Sequence, residues 1–338
     1  MQRKSSLYNL FRIAAFLVIG AVLLGVFSQI FDGGYWFRQV YIYDRTARYA
    51  AYTAQEPGQI DVINVGDSLS ICAITPPELY RDYGITAYNI GQDMQFPVES
   101  YYALEHALKT QPVKVVLLET NALFYDNSLV DEAQKDLSEF LQSRFPFLRF
   151  HNLWKIPFKR KSIRKYFKGY TINESEGHFD FDKDYTFDNP VRYPIQPQQH
   201  LHLMRIQKYC KDHDIRLILY SSASIQGYYT MRKHNTLMDY AEKYGFEVVD
   251  ANFDKDIVGM DWPNDTWDDG DHLTLSGCRK MTAYLGNYLR SECDLPDHRS
   301  DPAYKSWDDM LVEYDEEVEK MKGKSYADVE KELGFPKY

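Results

Sequence analysis

The sequence predicts an α/β protein, a three-layer α/β/α sandwich on a parallel sheet, preceded by one transmembrane helix. Short apolar runs alternate with segments of helical periodicity, as is typical of strands joined by helical crossovers. The run at 114–119 is almost wholly apolar, as expected of a strand covered on both faces. The apolar stretch from Ile13 to Phe31 has about the length that a spanning helix needs.

The N-terminal region has the pattern of a retained membrane anchor. Three basic residues precede the apolar stretch, which predicts a cytoplasmic N-terminus at 1–12, an anchor at 13–31 and an extracytoplasmic remainder. Aromatic residues at 35–37 follow, as is typical of the boundary between membrane and water. The alternative is a cleaved signal peptide, which usually has a shorter apolar core and a small-residue cleavage site that 26–28 matches poorly.

The strands and helices of the sandwich are predicted in alternation. The predicted strands are 60–65, 85–90, 114–119, 215–221 and 246–250. The predicted helices are 69–82, 98–109, 198–213, 229–244 and 275–290. A juxtamembrane connector at 32–60, helical around 38–54, precedes the main domain at 61–298.

Two regions depart from this alternation. Periodicity is lost between about 122 and 196, which we interpret as an insertion into the main domain. Its basic stretch at 155–168 is either a solvated loop or a contact for anionic lipid headgroups or a phosphate-bearing polymer. Residues 299–338 form an acidic tail that predicts one or two surface helices.

Composition excludes several classes of protein. The formal net charge of −10 is the opposite of the basic face that nucleic-acid binding requires, so no nucleic-acid partner is expected. The four cysteines form no Cys-x-x-Cys pair, so we expect no metal and no other cofactor. If 275–290 is helical, Cys278 and Cys293 lie roughly 20 Å apart, too far for a disulfide. The cysteines are therefore predicted to be reduced.

A candidate nucleophile follows the first predicted strand. In Gly66-Asp67-Ser68-Leu69, a tight strand-to-helix turn would expose the hydroxyl of Ser68 beside unpaired backbone N–H groups. A serine hydroxyl is a weak nucleophile at neutral pH and needs a base within hydrogen-bonding reach. The alternative is a structural turn in which Ser68 caps the following helix.

A candidate base lies on the loop before helix 275–290. In Asp269-Gly-Asp-His272, His272 could accept the serine proton while Asp269 orients the imidazole. Asp271 is the less favoured partner because adjacent residues on such a turn point in different directions. The alternatives are a hydrophilic surface loop, or a calcium loop, whose acid spacing this segment does not have.

The candidate residues all follow predicted strands. Ser68, Gly91, Asn121 and the 269–272 loop each come after a strand, and the carboxyl ends of parallel strands gather at one edge, where ligands bind. The fold prediction therefore brings them together. In the chain order Ser…Asp…His they are the parts of a nucleophilic acyl-transfer site.

Four blocks within about 61–290 resemble those of the GDSL, or SGNH, hydrolase superfamily. These are Gly66–Leu69, a literal match, then Tyr88–Gly91, Glu119–Asn121 and Asp269–Gly277. The resemblance implies a flavodoxin-like sandwich with Ser68 as nucleophile and His272 as base and acid. It also implies an oxyanion hole formed by Ser68, Gly91 and Asn121. The third block departs from the usual Gly-x-Asn-Asp, since Ala122 follows Asn121.

The architecture also resembles one subgroup of that superfamily. A single N-terminal anchor with an external domain is similar to the DltD-like proteins of teichoic-acid D-alanylation and to proteins of surface-polymer O-acylation. This implies acyl transfer through a Ser68 ester to a hydroxyl of a cell-surface glycopolymer, beside a membrane-bound O-acyltransferase. The alternatives are an esterase or deacetylase acting on envelope glycans or small esters, and a non-enzymatic scaffold.

Overall fold

The computed structural model of the chain describes residues 2–30, 45–151, 165–174, 186–187, 189–225 and 230–332. The predictions for the aromatic residues at 35–37, for the connector before residue 45 and for the basic residues at 155–164 lie outside the described residues.

A five-stranded parallel sheet lies at the centre of the main domain. Its strands are β1 (Val62–Val65), β2 (Ala87–Asn89), β3 (Val115–Glu119), β4 (Arg216–Ser221) and β5 (Glu247–Asp250). The order is β2-β1-β3-β4-β5, and Val62 of β1 is in register with Ala87 on one side and Val115 on the other. This is the flavodoxin-like doubly wound order, so the predicted fold class is confirmed.

Helices precede, connect and follow these strands. Before β2 they are α1 (Gln2–Ile30), α2 (Ala47–Thr53), α3 (Ser68–Ala73) and α4 (Pro76–Tyr83). Between β2 and β4 they are α5 (Pro97–Ala107), α6 (Leu129–Arg144), α7 (Pro146–Phe150) and α8 (Pro197–Asp212). Beyond β4 they are α9 (Met231–Tyr244), α10 (Lys255–Val258), α11 (Trp262–Asp265), α12 (Leu275–Glu292), α13 (Lys305–Met321) and α14 (Tyr326–Glu332).

The sheet separates two apolar cores. Successive strand residues point to opposite faces, so Ile63 of β1 belongs to one core and its neighbour Val62 to the other. The first core holds apolar residues of α2, α5, α8 and α9. The second holds those of α4 and α12. Burial on both faces explains why every residue of β1, β2 and β3 is buried.

The predicted acidic tail contributes to both cores. Trp307 of α13 is fully buried in the first core, and Tyr314 and Met321 are fully buried in the second. These three residues are spaced by seven, so they form one apolar stripe on an otherwise charged helix. The tail is therefore helical as predicted, but it is part of the domain core.

The region predicted to lack periodicity contains a long helix. Helix α6 has 16 residues and is capped by Ser128, whose side chain accepts a hydrogen bond from the N–H of Asp131. Its inward-facing residues are Glu132 and Glu139, and its large apolar side chains are exposed. The usual pattern of apolar residues toward the core is thus inverted. The apolar residues still recur at helical spacing, so the predicted loss of periodicity is wrong for this segment.

Two lysines at the end of the basic stretch contact the domain itself. Lys165 lies 3.3 Å from a carboxylate oxygen of Glu317. Lys168 donates to Oε1 of Gln55 (2.9 Å) and lies 4.2 Å from the centre of the Trp307 ring. Burial lowers the pKa of Lys168 to about 8. Their partners are thus the tail helix and the end of α2.

Helix α1 carries the candidate membrane span. Among the described residues, Tyr8–Ile30 alone is long and apolar enough to cross a membrane, and its apolar window is not buried in the protein. A signal sequence near an N-terminus meets the same criterion. The end of α1 contacts the main domain at α7, where the N–H of Phe147 donates to Oγ of Ser28 (3.2 Å).

Candidate active site

The strand β1 delivers Ser68 to the carboxyl edge of the sheet through a tight turn. Gly66 has φ 148°, and a Cβ at this position would lie 2.7 Å from Cβ of Glu119 in β3. Only glycine fits so close an approach between the turn and the neighbouring strand. Behind the turn, the side-chain amide of Asn64 donates to the carbonyl of Ser70 (2.7 Å) and ties α3 to β1.

Asp67, and not Ser68, caps helix α3. Its Oδ1 accepts a hydrogen bond from the N–H of Leu69 (3.0 Å), which satisfies one of the unpaired donors at the helix start. The alternative in which Ser68 is the cap is therefore wrong. Ser68 stands one residue inside the helix, is half-buried, and keeps its hydroxyl for another partner.

The partner of the serine hydroxyl is His272. Oγ of Ser68 lies 2.8 Å from Nε2 of His272, although the two residues are 204 positions apart in the chain. His272 belongs to the loop that precedes α12, and the ring of Trp267 stacks on its imidazole with 5.2 Å between centroids. The structure thus brings together the two residues that the sequence proposed as nucleophile and base.

The carboxylate beside the imidazole belongs to Asp268, so the assignment of Asp269 is wrong. Oδ2 of Asp268 contacts Nδ1 of His272, and Oδ1 of Asp268 accepts from the backbone N–H of His272 (2.6 Å). Asp269 is exposed, whereas the side chain of Asp268 is 30% exposed and that of His272 is 12% exposed.

A tight turn explains why Asp268, and not Asp269, contacts His272. The N–H of Asp271 donates to the carbonyl of Asp268 (3.1 Å), and the two residues between them have positive φ, 48° at Asp269 and 93° at Gly270. These are features of a type I′ turn, for which Asp-Gly is a favoured sequence. The Asp269-Gly270 pair is thus the tip of the turn. The carboxylate that contacts His272 belongs to Asp268, the first residue of the turn.

Asp271, the other neighbour, faces a different strand end. Its Oδ1 accepts from the hydroxyl of Ser224 (3.2 Å), in the loop after β4. The N–H of Ile225 also donates to the carbonyl of Gly270 (3.1 Å). These two contacts attach the histidine loop to the carboxyl edge of the sheet.

The acidic surroundings change the proton affinity of His272. Burial lowers the pKa of the imidazole, but the hydrogen bond and charge of Asp268, followed by the charges of Asp271 and Asp67, raise it. The net result is a pKa above the ordinary value of 6.5. The imidazolium formed when His272 takes a proton is therefore stabilised.

Gly91 and Ser68 are the proposed backbone donors of an oxyanion hole. A Cβ on Gly91 would lie 2.2 Å from Oγ of Ser70 and 2.9 Å from the carbonyl of Gly66, so the loop after β2 must be glycine here. Within the described residues, neither the N–H of Gly91 nor that of Ser68 has an acceptor. Both remain proposed donors to an oxyanion.

Asn121 has structural partners at the end of β3. Its Nδ2 donates to Oδ2 of Asp67 (2.7 Å), and its Oδ1 accepts from Nζ of Lys233 (3.0 Å). The hydroxyl of Tyr125 donates to the same oxygen of Asp67 (2.6 Å). The amide of Asn121 thus orients Asp67, the residue that precedes Ser68, and its role as an oxyanion donor stays a prediction.

A buried group of ionisable side chains lies behind Ser68. It consists of Asp67, Glu119 and Lys233, each at most 9% exposed. Burial, then the charge of Asp67, raises the pKa of Glu119 well above its usual range, while burial lowers that of Lys233. Sequence reasoning missed Lys233, because a lone lysine on a predicted helix gives no signal that it is buried.

The four cysteines are free thiols, and one of them, Cys72, interacts electrostatically with Asp67 and Asp268 of this site. Burial raises the pKa of Cys72 to about 12, so its thiol stays protonated at neutral pH. No group of three or more His, Cys, Asp or Glu in the described part of the chain is arranged to hold a metal ion.

The chain is similar to solved structures at low sequence identity. No protein-family profile matches the chain, and no curated protein matches it. One similar solved structure is a proposed lipolytic protein of the G-D-S-L family from Desulfitobacterium hafniense, 14% identical, with a TM-score of 0.37 over 68% of this chain and 99% of that one. Another is a proposed acylhydrolase from Bacteroides fragilis, 14% identical, with a TM-score of 0.40 over 74% and 99%. Both scores are low, so strand order and register carry the fold assignment.

Proposed function

We propose that the chain is a membrane-anchored serine enzyme of the GDSL type that acts on acyl esters. It transfers an acyl group from an ester to a hydroxyl of a cell-envelope polymer. The observation that carries the enzymatic part is the 2.8 Å contact between Oγ of Ser68 and Nε2 of His272, with Asp268 on the other ring nitrogen. A hydroxyl, an imidazole and a carboxylate in this relation are the parts of a nucleophilic triad.

The chemistry follows from these contacts. Asp268 holds the proton of His272 on Nδ1, so Nε2 is free to take the proton of Ser68 as its oxygen attacks the ester carbonyl. The oxyanion would be held by the N–H groups of Ser68 and Gly91. His272 then protonates the leaving alcohol, and the acyl group remains on Ser68 as an ester. In the second half, His272 deprotonates an acceptor hydroxyl, which takes the acyl group and releases the serine.

Transfer and hydrolysis differ only in the acceptor of the second half. Two features favour a polymer hydroxyl. The apolar length of α1 suits a membrane anchor that would keep the site near the cell envelope. The ring of Trp267, 39% exposed and stacked on His272, offers a flat apolar surface for a sugar or polyol beside the base. The acyl donor would be supplied by a membrane-bound O-acyltransferase.

Two measurements test this function. The first is labelling of the full chain with a fluorophosphonate, which we expect to be lost in Ser68→Ala and His272→Ala and retained in Asp269→Asn, at the exposed tip of the same loop. The second is mass spectrometry of surface polymers from cells carrying either the natural chain or Ser68→Ala. Loss of one polymer ester in Ser68→Ala supports transfer.

The other outcomes have definite meanings. A gain of polymer ester in Ser68→Ala, with fast turnover of a simple ester by the purified chain, would identify an esterase or deacetylase. Undiminished fluorophosphonate labelling of Ser68→Ala would remove the serine from the mechanism. Unchanged polymers together with unlabelled natural protein would favour the scaffold alternative.

A further inference from the structure

Helix α6 is built with its polar side toward the protein and its apolar side outward. Glu139 is 5% exposed and accepts a hydrogen bond from Arg149 (2.6 Å). Glu132 is 4% exposed and accepts from Gln199 (2.7 Å) and Asn127 (3.1 Å). These contacts set the rotation of the helix, because turning it would leave buried carboxylates without partners.

The outward face of α6 is a continuous apolar strip. At 3.6 residues per turn its members fall within an arc of about 120°. They are Leu129, Val130, Ala133, Leu137, Phe140 and Leu141, all of them exposed. Leu129 is 68% exposed and Leu137 is 59% exposed, values far above those of core leucines such as Leu104 at 0%. An exposed strip of this length marks a surface that another apolar phase covers.

The position of α6 favours the lipid bilayer as that phase. A single residue, Phe145, separates α6 from α7, and α7 packs on the last turns of α1. There the ring of Phe147 lies 5.4 Å from that of Phe27, and the N–H of Phe147 donates to Ser28. The C-terminal end of the strip is thus next to the point where the proposed anchor leaves the membrane.

The charges on the strip fit the same occupant. The one charged residue within the arc is Arg144, at the end of α6 nearest α7, and its side chain is 52% exposed. A basic side chain at this place can reach headgroups while the apolar residues enter the boundary of the acyl chains. We propose that the strip of α6 lies on the outer surface of the membrane as an interfacial helix and, with α1, holds the catalytic domain in a fixed orientation. This inference rests on the proposed anchoring by α1.

Spin labels on the full chain in bilayers test the proposal. The labelled positions are Leu137→Cys and Leu141→Cys on the strip, Ser138→Cys on the exposed polar side of the same helix, and Val22→Cys in α1. The unlabelled background is small because three natural cysteines are buried and Cys72 is half-buried. Each variant is used only if its thermal midpoint matches that of the natural chain.

We expect the spin labels at Leu137→Cys and Leu141→Cys to collide with oxygen and not with a water-soluble nickel chelate. Their depth should be roughly 5–10 Å below the headgroup boundary, while Ser138→Cys stays accessible to nickel. Nickel access at Leu137→Cys and Leu141→Cys equal to that at Ser138→Cys would overturn the proposal. So would dipolar broadening at Leu141→Cys, which would mean that a second copy covers the strip. Nickel access at Val22→Cys as well would show that the anchoring itself is absent, a failure distinct from that of α6.

Discussion

The two loops that meet in the candidate site are held in different ways. The serine turn is set into the core: Gly66 lies against β3, and Asp67 is 1% exposed and its side chain accepts hydrogen bonds from three residues. The histidine loop lies nearer the surface and is held by one tight turn, by the backbone hydrogen bond from Trp267 to the carbonyl of His272, and by the contacts of Asp268 and Asp271.

The difference teaches where the site is rigid and where it depends on local chemistry. The position of Ser68 follows from the sheet, because strand register and close backbone packing leave the turn no alternative path. The position of His272 follows from the local hydrogen bonds of its own loop. Substitutions in the histidine loop should therefore change activity with little change in stability, and those behind the serine should change both.

The largest effect is expected on the histidine side. Asp268→Asn removes the charge that stabilises the imidazolium and favours the wrong tautomer of His272. We expect ester turnover and fluorophosphonate labelling to slow by about 10²–10⁴-fold, with an unchanged thermal midpoint. Asp269→Asn is the matched control and should behave as the natural chain. The reverse ranking of the two variants would restore Asp269 as the orienting residue.

The same pair of variants has a pH signature. His272 must be neutral to accept the serine proton, so activity rises with pH through its pKa, which lies above 6.5 in the natural chain. Asp268→Asn removes the hydrogen bond and charge that raise this pKa and leaves the burial that lowers it. The acid limb of kcat/KM should therefore move to lower pH in Asp268→Asn and stay in place in Asp269→Asn.

The contrast between the serine turn and the histidine loop also explains how much of the site could be predicted from the sequence. Strand runs and the Gly-Asp-Ser-Leu turn predicted where Ser68 lies, since both depend on local pattern and on the doubly wound order. Spacing to His272 alone favours Asp269, whereas the turn chemistry of Asp269-Gly270, which the sequence shows, places Asp268 beside the imidazole. The apolar residues of α6 recur at helical spacing, but its inward residues are glutamates whose partners, such as Arg149, come from other elements, so the sequence did not indicate which side of the helix faces the protein.

A smaller effect is expected behind the serine. Lys233→Met removes the donor to Oδ1 of Asn121 and the cation nearest the buried acids Asp67 and Glu119. We expect a loss of about 3 kcal/mol in the free energy of unfolding, together with slower labelling of Ser68. Lys243→Met, on the exposed part of the same helix, should change neither. An unchanged denaturation midpoint in Lys233→Met would mean that the buried acids need no cation.

The smallest effect concerns the buried carboxyl beside Gly66. Because burial raises the pKa of Glu119 well above its unfolded value of 4.5, the folded chain keeps a proton that the unfolded chain loses as pH rises. The natural protein should therefore lose stability relative to Glu119→Gln as pH increases, by at most about 1.4 kcal/mol between pH 5 and pH 6. Denaturant unfolding at the two pH values measures this, with the exposed Glu242→Gln as the control that shows no such divergence. If the natural chain showed no such loss relative to Glu119→Gln over this interval, Glu119 would be ionised in the folded protein, and the buried group behind Ser68 would hold two negative charges against one lysine.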